Sequence, residues 1–224
     1  MPATQDPLSQ LTEIRAIMER SSRFISLSGL SGVGAGVVAL LGTVVVDDYL
    51  VRKVPAIICE SGYDWLLHSS MSERLAIFPI LLGLALGMIA LALLVAAFFT
   101  LRLTRREGLR SIWTAPARRL AAALAIPLVA GGLFCLRLYL SAAPELVVPG
   151  MLVFYGLALL NGSKYTLDEI KYLGITQVLL GLGALVLPAY GLLLFGLGFG
   201  VGHIGYGLLM YNRYERPAGA TLAA

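Results

Sequence analysis

Six long runs of apolar residues, separated by shorter polar or arginine-rich segments, divide this chain. About twenty residues rising 1.5 Å each cross a hydrocarbon core of roughly 30 Å. The runs therefore predict six membrane-spanning helices at Phe24–Val46, Leu75–Thr100, Leu120–Leu140, Pro144–Asn161, Leu173–Leu187 and Gly191–Asn212. The fourth and fifth are short, so they need locally thin lipid or shielding by neighbouring helices. We expect an all-α, polytopic transmembrane helix bundle.

Composition supports this class of protein. The chain has 224 residues, is 58% hydrophobic and 13% charged, and has a mean hydropathy of +0.83. Soluble domains carry about 25% charged residues. A bilayer removes the need for that polar surface because lipid can face apolar side chains directly. The net charge of +4 is concentrated at the ends of apolar runs, so we predict no nucleic-acid partner.

Basic residues predict how the chain is threaded. Six arginines lie in one segment, 101–119: Arg102, Arg105, Arg106, Arg110, Arg118 and Arg119. Placing this segment in the cytoplasm also puts most other basic residues there, and cytoplasmic segments carry the excess of Lys and Arg. We therefore expect a plasma (inner) membrane protein with both termini cytoplasmic, an outer loop at 47–74 and a cytoplasmic tail at 213–224.

The segment 1–23 predicts a cytoplasmic amphipathic helix rather than a cleavable signal. Asp6-Pro7 is typical of a helix start, and Leu8, Leu11 and Ile14 recur at helical spacing. This helix could lie on the membrane surface, bind a cytoplasmic protein partner, or pack under the chain's own bundle.

Small residues recur every four positions in several spans. The sets are Ser28/Gly32/Gly36, Gly83/Gly87, Gly196/Gly200 and Gly198/Gly202. Such spacing lets helix backbones approach closely. Packing within the chain is the default interpretation, and a homo-oligomer seam is the alternative.

Two similar sequence segments suggest repeated helical hairpins. Tyr155-Gly156-Leu157 with Asn161 ends the fourth span, and Tyr206-Gly207-Leu208 with Asn212 ends the sixth. Spans 3–4 and 5–6 could be parallel repeats. The alternative is convergence, because Tyr, Asn and basic residues are all favoured where helices leave lipid.

Few polar groups lie at membrane depth, and those are where function is sought. The candidate intramembrane polar site consists of His203, Tyr206, Tyr155, Asn161 and Lys164. A neutral histidine there could relay protons, or it could be satisfied by a hydroxyl or carbonyl of a neighbouring helix.

Arg137 and Glu145 form a candidate ion pair at the outer side, where they could close a hairpin or line an anion vestibule. Cys59 and Cys135 could form a disulfide there, although nothing fixes their geometry. We find no catalytic motif, no metal-ligand pattern and no cofactor motif. A non-enzymatic sensor, scaffold or accessory module is therefore favoured, and the alternative is a small transporter or channel with a polar path near His203.

Several stretches resemble a family of uncharacterised bacterial six-helix integral membrane proteins. They are Ile14–Gly32, Pro127–Gly132, Phe154–Leu157, Gly162–Thr166 and Gly198–Ile204. The resemblance implies an inner-membrane protein with six helices, and it implies no specific activity.

Overall fold

The computed structural model describes residues 28–53, 61–106, 113–141 and 143–216. Within those ranges it is an all-α bundle in which six helices are long and apolar enough to cross a membrane. They are span 1 (Gly29–Val51), span 2 (Met71–Arg106), span 3 (Ala115–Tyr139), span 4 (Pro144–Tyr165), span 5 (Glu169–Val186) and span 6 (Pro188–Glu215). The predicted helix at 1–23, Cys59 and the end of the tail lie outside the described residues.

The observed helices extend beyond the apolar runs. Span 1 continues to Val51, and span 2 begins at Met71 and runs to Arg106. The predicted loop 47–74 is therefore mostly helical in its described part, because it also contains a short helix, Gly62–His68. Charged residues permit these extensions, since a helix needs no break where its side chains reach the polar interface.

Successive spans run in opposite directions, so the bundle has two ends. We call them the Asp48 end, where span 1 ends, and the Glu169 end, where span 5 begins. At the Asp48 end, Ser70 and Glu73 start span 2: the Ser70 N–H donates to the Glu73 carboxylate at 2.8 Å, and the Glu73 N–H donates to Ser70 Oγ at 3.3 Å. This reciprocal pair is a capping box.

Spans 5 and 6 form a tight hairpin, as the sequence predicts. Span 5 ends at Val186, and a single 3₁₀ turn, Pro188–Tyr190, begins span 6. Pro188 cannot continue the preceding helix because it lacks the amide donor. Whether this hairpin repeats spans 3–4 stays a prediction.

Hydrogen bonds to acidic side chains connect span 6 to spans 1 and 5 at the Glu169 end. The Glu215 carboxylate accepts hydrogen bonds from Ser28 Oγ at 3.0 Å and from the Gly29 backbone N–H, which caps span 1. Buried Glu169 accepts from Arg213 Nη1 at 2.8 Å and from the Tyr214 hydroxyl at 2.9 Å. These contacts connect the last turn of the bundle to spans 1 and 5.

Spans 1 and 6 pack backbone against backbone through glycine. A Cβ atom added at Gly36 would lie 2.6 Å from the Gly200 carbonyl oxygen, and one at Gly207 would lie 2.7 Å from the Gly29 carbonyl oxygen. The small-residue prediction is thus confirmed for this pair of spans. In span 2 packing within the chain is not found, since a Cβ at Gly83 or Gly87 would meet no atom of the described residues within 4 Å, and a homo-oligomer seam at these glycines stays a prediction.

Candidate functional site

His203 lies inside the bundle, immediately after an unusual segment of span 6. Residues Gly196–Gly202 form a π-helix, and His203 begins the α-helix that follows. Only 8% of the His203 surface is exposed. Short π segments inside α-helices recur at functional sites, which makes this place the first candidate.

The ring of His203 bonds through both nitrogens. Its Nδ1 lies 3.2 Å from the Gly198 carbonyl oxygen, and its Nε2 lies 2.6 Å from the Tyr155 hydroxyl oxygen. Since a carbonyl only accepts, Nδ1 carries the proton and donates to Gly198. A second proton on the ring would bury a charge that no carboxylate of the described residues neutralises, so Nε2 is the acceptor and the Tyr155 hydroxyl donates to it. The histidine is neutral in this arrangement.

Gln177 of span 5 completes the polar group and was missed by the sequence reasoning. Its side chain is fully buried, and Nε2 donates to the same Gly198 oxygen at 2.8 Å. Its Oε1 is buried, and no described residue bonds to it. The available signal was a side-chain amide in the middle of an apolar run, where polar groups are costly.

The remaining predicted residues do not join this group. Tyr206 lies 3.5 Å from the Thr176 hydroxyl, and Asn161 Nδ2 donates to the Ala123 carbonyl of span 3 at 3.0 Å. Lys164 is exposed at the Glu169 end. The predicted cluster thus resolves into one connected pair, Tyr155–His203, and separate interhelical contacts.

Arg137 and Glu145 are not paired among the described residues. Arg137 Nη1 donates to Ser141 Oγ at 2.6 Å on the same helix end. Glu145 instead lies within electrostatic reach of Tyr63, and burial together with this carboxylate raises the pKa of the Tyr63 hydroxyl. Cys135 is a free, buried thiol.

Aromatic rings connect the polar pair to an apolar cavity. The Phe199 ring is stacked on His203 with 6.0 Å between centroids, and it lies 4.6 Å from the rings of Tyr155 and Phe195. Tyr155, Phe195 and Phe199 all line a cavity of about 420 Å³. The histidine therefore lies behind one wall of this cavity.

The cavity lies between span 2 and the rest of the bundle. Span 2 packs along span 1 and makes no extended contact with span 3. No charged side chain lines the space, and its walls include Leu82, Met88, Gly132 and Met151. Leu82 and Ile89 line the cavity and are 38% and 55% exposed, and spans 2 and 3 do not pack together, so within the described part of the chain the cavity opens sideways between these two spans.

The cavity is closed at the Asp48 end. The rings of Phe78 and Tyr139 are 5.4 Å apart, and Arg74 Nη2 donates to the Ser141 carbonyl oxygen at 3.3 Å. Leu66 of the short helix also lines the cavity at this end. The opening is therefore lateral, toward whatever surrounds the apolar faces of spans 2 and 3.

Comparison with known proteins gives no relative. No family model matches the chain, no curated protein matches it, and no solved structure matches it. The described residues also hold no group of three or more His, Cys, Asp or Glu side chains arranged to bind a metal ion. Function must therefore be argued from the histidine pair and the cavity themselves.

The Tyr155–His203 hydrogen bond predicts coupled stability effects. Tyr155→Phe and His203→Phe each leave the other partner unpaired in an apolar setting, so each should cost about 1–3 kcal/mol of unfolding free energy. The double variant removes both groups and should cost less than the sum, with a coupling of about 1 kcal/mol. Unfolding of the purified protein in detergent, followed by circular dichroism, measures the cycle.

Tyr206→Phe is the matched control, because the one hydrogen-bond contact of the Tyr206 hydroxyl within the described ranges is the 3.5 Å contact with Thr176. It should change stability by no more than about 0.5 kcal/mol. Strictly additive costs for the Tyr155 and His203 variants would contradict the hydrogen bond.

Proposed function

We propose that this chain is a non-enzymatic, multi-pass inner-membrane module that holds the hydrocarbon chain of a lipid in its lateral cavity. Both termini lie in the cytoplasm in this proposal, since the arginine-rich segment between spans 2 and 3 favours that side. The resemblance to uncharacterised bacterial six-helix membrane proteins agrees with this placement. The Glu169 end is then cytoplasmic, and the Asp48 end is external.

The observation that carries the proposal is an apolar, sideways-open cavity within a bundle of membrane length. Its volume of about 420 Å³ falls in the range of ligand pockets, about 300–1,000 Å³. Water in such a space would find almost no polar partners, so hydrocarbon is the favoured occupant.

The dimensions also fit a lipid chain. The cavity walls on span 2 run from Phe78 to Ala92. At 1.5 Å per residue these positions are separated by about 21 Å along the helix. One leaflet occupies about half of a 30 Å hydrocarbon core, so the cavity can accept most of an acyl chain entering from the external leaflet.

The alternative of a transporter with a polar path near His203 receives no comparable support. Tyr155 and His203 satisfy each other, while Asn161 and Tyr206 bond to different neighbours. Permeation paths line a continuous route with polar groups. The described residues instead separate these groups by apolar packing.

A photoactivatable phospholipid tests the proposal. The protein is reconstituted with a lipid carrying a diazirine near the end of one acyl chain, illuminated, and mapped by peptide mass spectrometry. We expect labels on cavity-lining residues that ordinary lipid contact does not reach, such as buried Val148 and the neighbouring Met151. Labels confined to outward-facing residues such as Leu93 and Ile126, which are 65% and 72% exposed, would contradict it.

A further inference from the structure

A buried arginine lies beside the closed end of the cavity. Arg74 is 8% exposed, although arginine is among the residues least often buried. Its Nη1 donates to the Ser69 carbonyl oxygen at 2.8 Å, and its Nη2 donates to the Ser141 carbonyl oxygen at 3.3 Å. Its Nε is buried and has no hydrogen-bond partner among the described residues. The guanidinium therefore keeps unused donors at a desolvated place.

No carboxylate of the described residues forms an ion pair with Arg74, and Glu145, the acid nearest in sequence to its partner Ser141, lies within electrostatic reach of Tyr63. The nearest acid in sequence, Glu73, accepts from the Ser70 N–H and hydroxyl at the capping box. Asp48 forms its ion pair with Arg52 at 2.9 Å. A buried cation is usually paired, because carbonyl dipoles alone replace only part of its lost hydration. An anion from outside the chain would complete this site.

Two further groups at the Asp48 end could interact with an anion. The Tyr49 hydroxyl is buried without a hydrogen-bond partner in the part of the chain that the structure describes, and the ammonium of Lys53 lies 5.4 Å from the centre of the Tyr49 ring. Tyr49 and Arg74 both lie within electrostatic reach of the Tyr139 hydroxyl, which itself donates to the Arg74 carbonyl oxygen at 3.0 Å. Asp47, two residues before Tyr49, is exposed and lies about 200° around the helix from it.

Arg74 adjoins the Asp48 end of the apolar cavity. Tyr139 lines the cavity while its hydroxyl donates to the Arg74 backbone carbonyl oxygen, and Phe78, one helical turn beyond Arg74, lines it as well. The arrangement places a cationic, donor-rich end on a hydrocarbon-lined slot. That is the complement of an amphiphile with an anionic head and an apolar tail.

We propose that Arg74, with the Tyr49 hydroxyl and Lys53, binds the phosphate group of a membrane lipid whose chain occupies the lateral cavity. The inference rests on the proposed function and names its ligand class. Guanidinium groups bind phosphate oxygens through charge-assisted hydrogen bonds, and the Tyr49 hydroxyl adds a neutral donor. The lipid is favoured over free phosphate because only a lipid fills the slot beside the cation.

The test compares two photoactivatable lipids that differ only in the headgroup: a phosphatidylglycerol and the matching uncharged diacylglycerol. In the full-length protein we expect the phosphatidylglycerol to label the cavity residues about tenfold more than the diacylglycerol, as one well-placed charged contact contributes. Arg74→Gln should abolish this preference while leaving diacylglycerol labelling unchanged. Arg52→Gln, which removes an exposed charge at the same end, should leave the preference intact.

Tyr49→Phe is a second test of the phosphate site, and its result does not depend on whether the Arg74 variant folds. It removes a hydroxyl that bonds to nothing in the described residues, so the fold should persist while the headgroup preference falls about threefold. Equal labelling by the two lipids in the unmodified protein would overturn the phosphate assignment but keep the cavity proposal. Absence of cavity labelling by either lipid would overturn both, and full protection by inorganic phosphate alone would overturn the lipid as its source.

Discussion

Gly132→Trp should reduce photolabelling of the cavity by about tenfold without unfolding the protein. Gly132 lines the cavity, and a Cβ atom added there meets no atom within 4 Å. An indole at this position can therefore extend into the space between spans 2 and 3 without displacing a neighbour. It would occupy volume that the acyl chain needs.

Gly87→Trp is the matched control for that result. Gly87 lies on span 2, its added Cβ also meets no atom within 4 Å, and it does not line the cavity. Its variant should be labelled like the unmodified protein. An equal loss of cavity photolabelling in both variants would indicate a general effect of tryptophan. Unchanged photolabelling in Gly132→Trp would show that the lipid chain binds elsewhere.

Gly207→Leu should destabilise the bundle by about 3 kcal/mol, at the upper end of overpacking costs. The added Cβ would lie 2.6 Å from the Val33 backbone nitrogen and 2.7 Å from the Gly29 carbonyl oxygen. Backbone atoms cannot rotate away as a side chain does, so spans 1 and 6 must separate. The dispersion contacts along the glycine face are lost with them.

Thermal unfolding in detergent measures this effect, and we expect the midpoint to fall by roughly 5–10 °C. Gly205→Leu is the control on the same helix, because a Cβ at Gly205 meets no atom within 4 Å. It should leave the midpoint nearly unchanged. Equal midpoints for the two variants would show that spans 1 and 6 do not pack through Gly207.

The six spans could be predicted from sequence because a bilayer demands a long apolar run for each crossing. The residues at which the helices begin and end were predicted less accurately. Span 2 extends to Arg106, past the predicted end at Thr100, because Arg102 and Arg105 can remain helical once their charged groups reach the interface. The short helix Gly62–His68 has a local signal, Ser61, whose hydroxyl accepts from the Asp64 N–H at 3.1 Å.

The candidate site was predicted only in part. Tyr155 and His203 were both singled out for their polarity at membrane depth, and they proved to be partners. Arg137 and Glu145 were paired because they lie near one another in the chain, yet a helix-end hydroxyl, Ser141, holds the arginine instead. Short-range alternatives of this kind compete with every ion pair proposed from spacing.

The cavity could not be predicted, because it depends on how far span 2 stands from span 3. Apolar faces that line a slot and apolar faces that contact lipid have the same composition. Leu82, for example, does both. Arg74 carried a weak signal as a basic residue at a span start, but its burial depends on Ser69 and Ser141, which only the fold brings together.

The central claim is that a lipid chain occupies the space between spans 2 and 3. The most direct measurement is an electron cryo-microscopy map of the full chain in lipid nanodiscs. We expect elongated, non-protein density running from beside Arg74 past Gly132 toward Tyr155, with span 2 held away from span 3. A map in which spans 2 and 3 close together, or in which side chains of a second copy fill the space, would contradict the account.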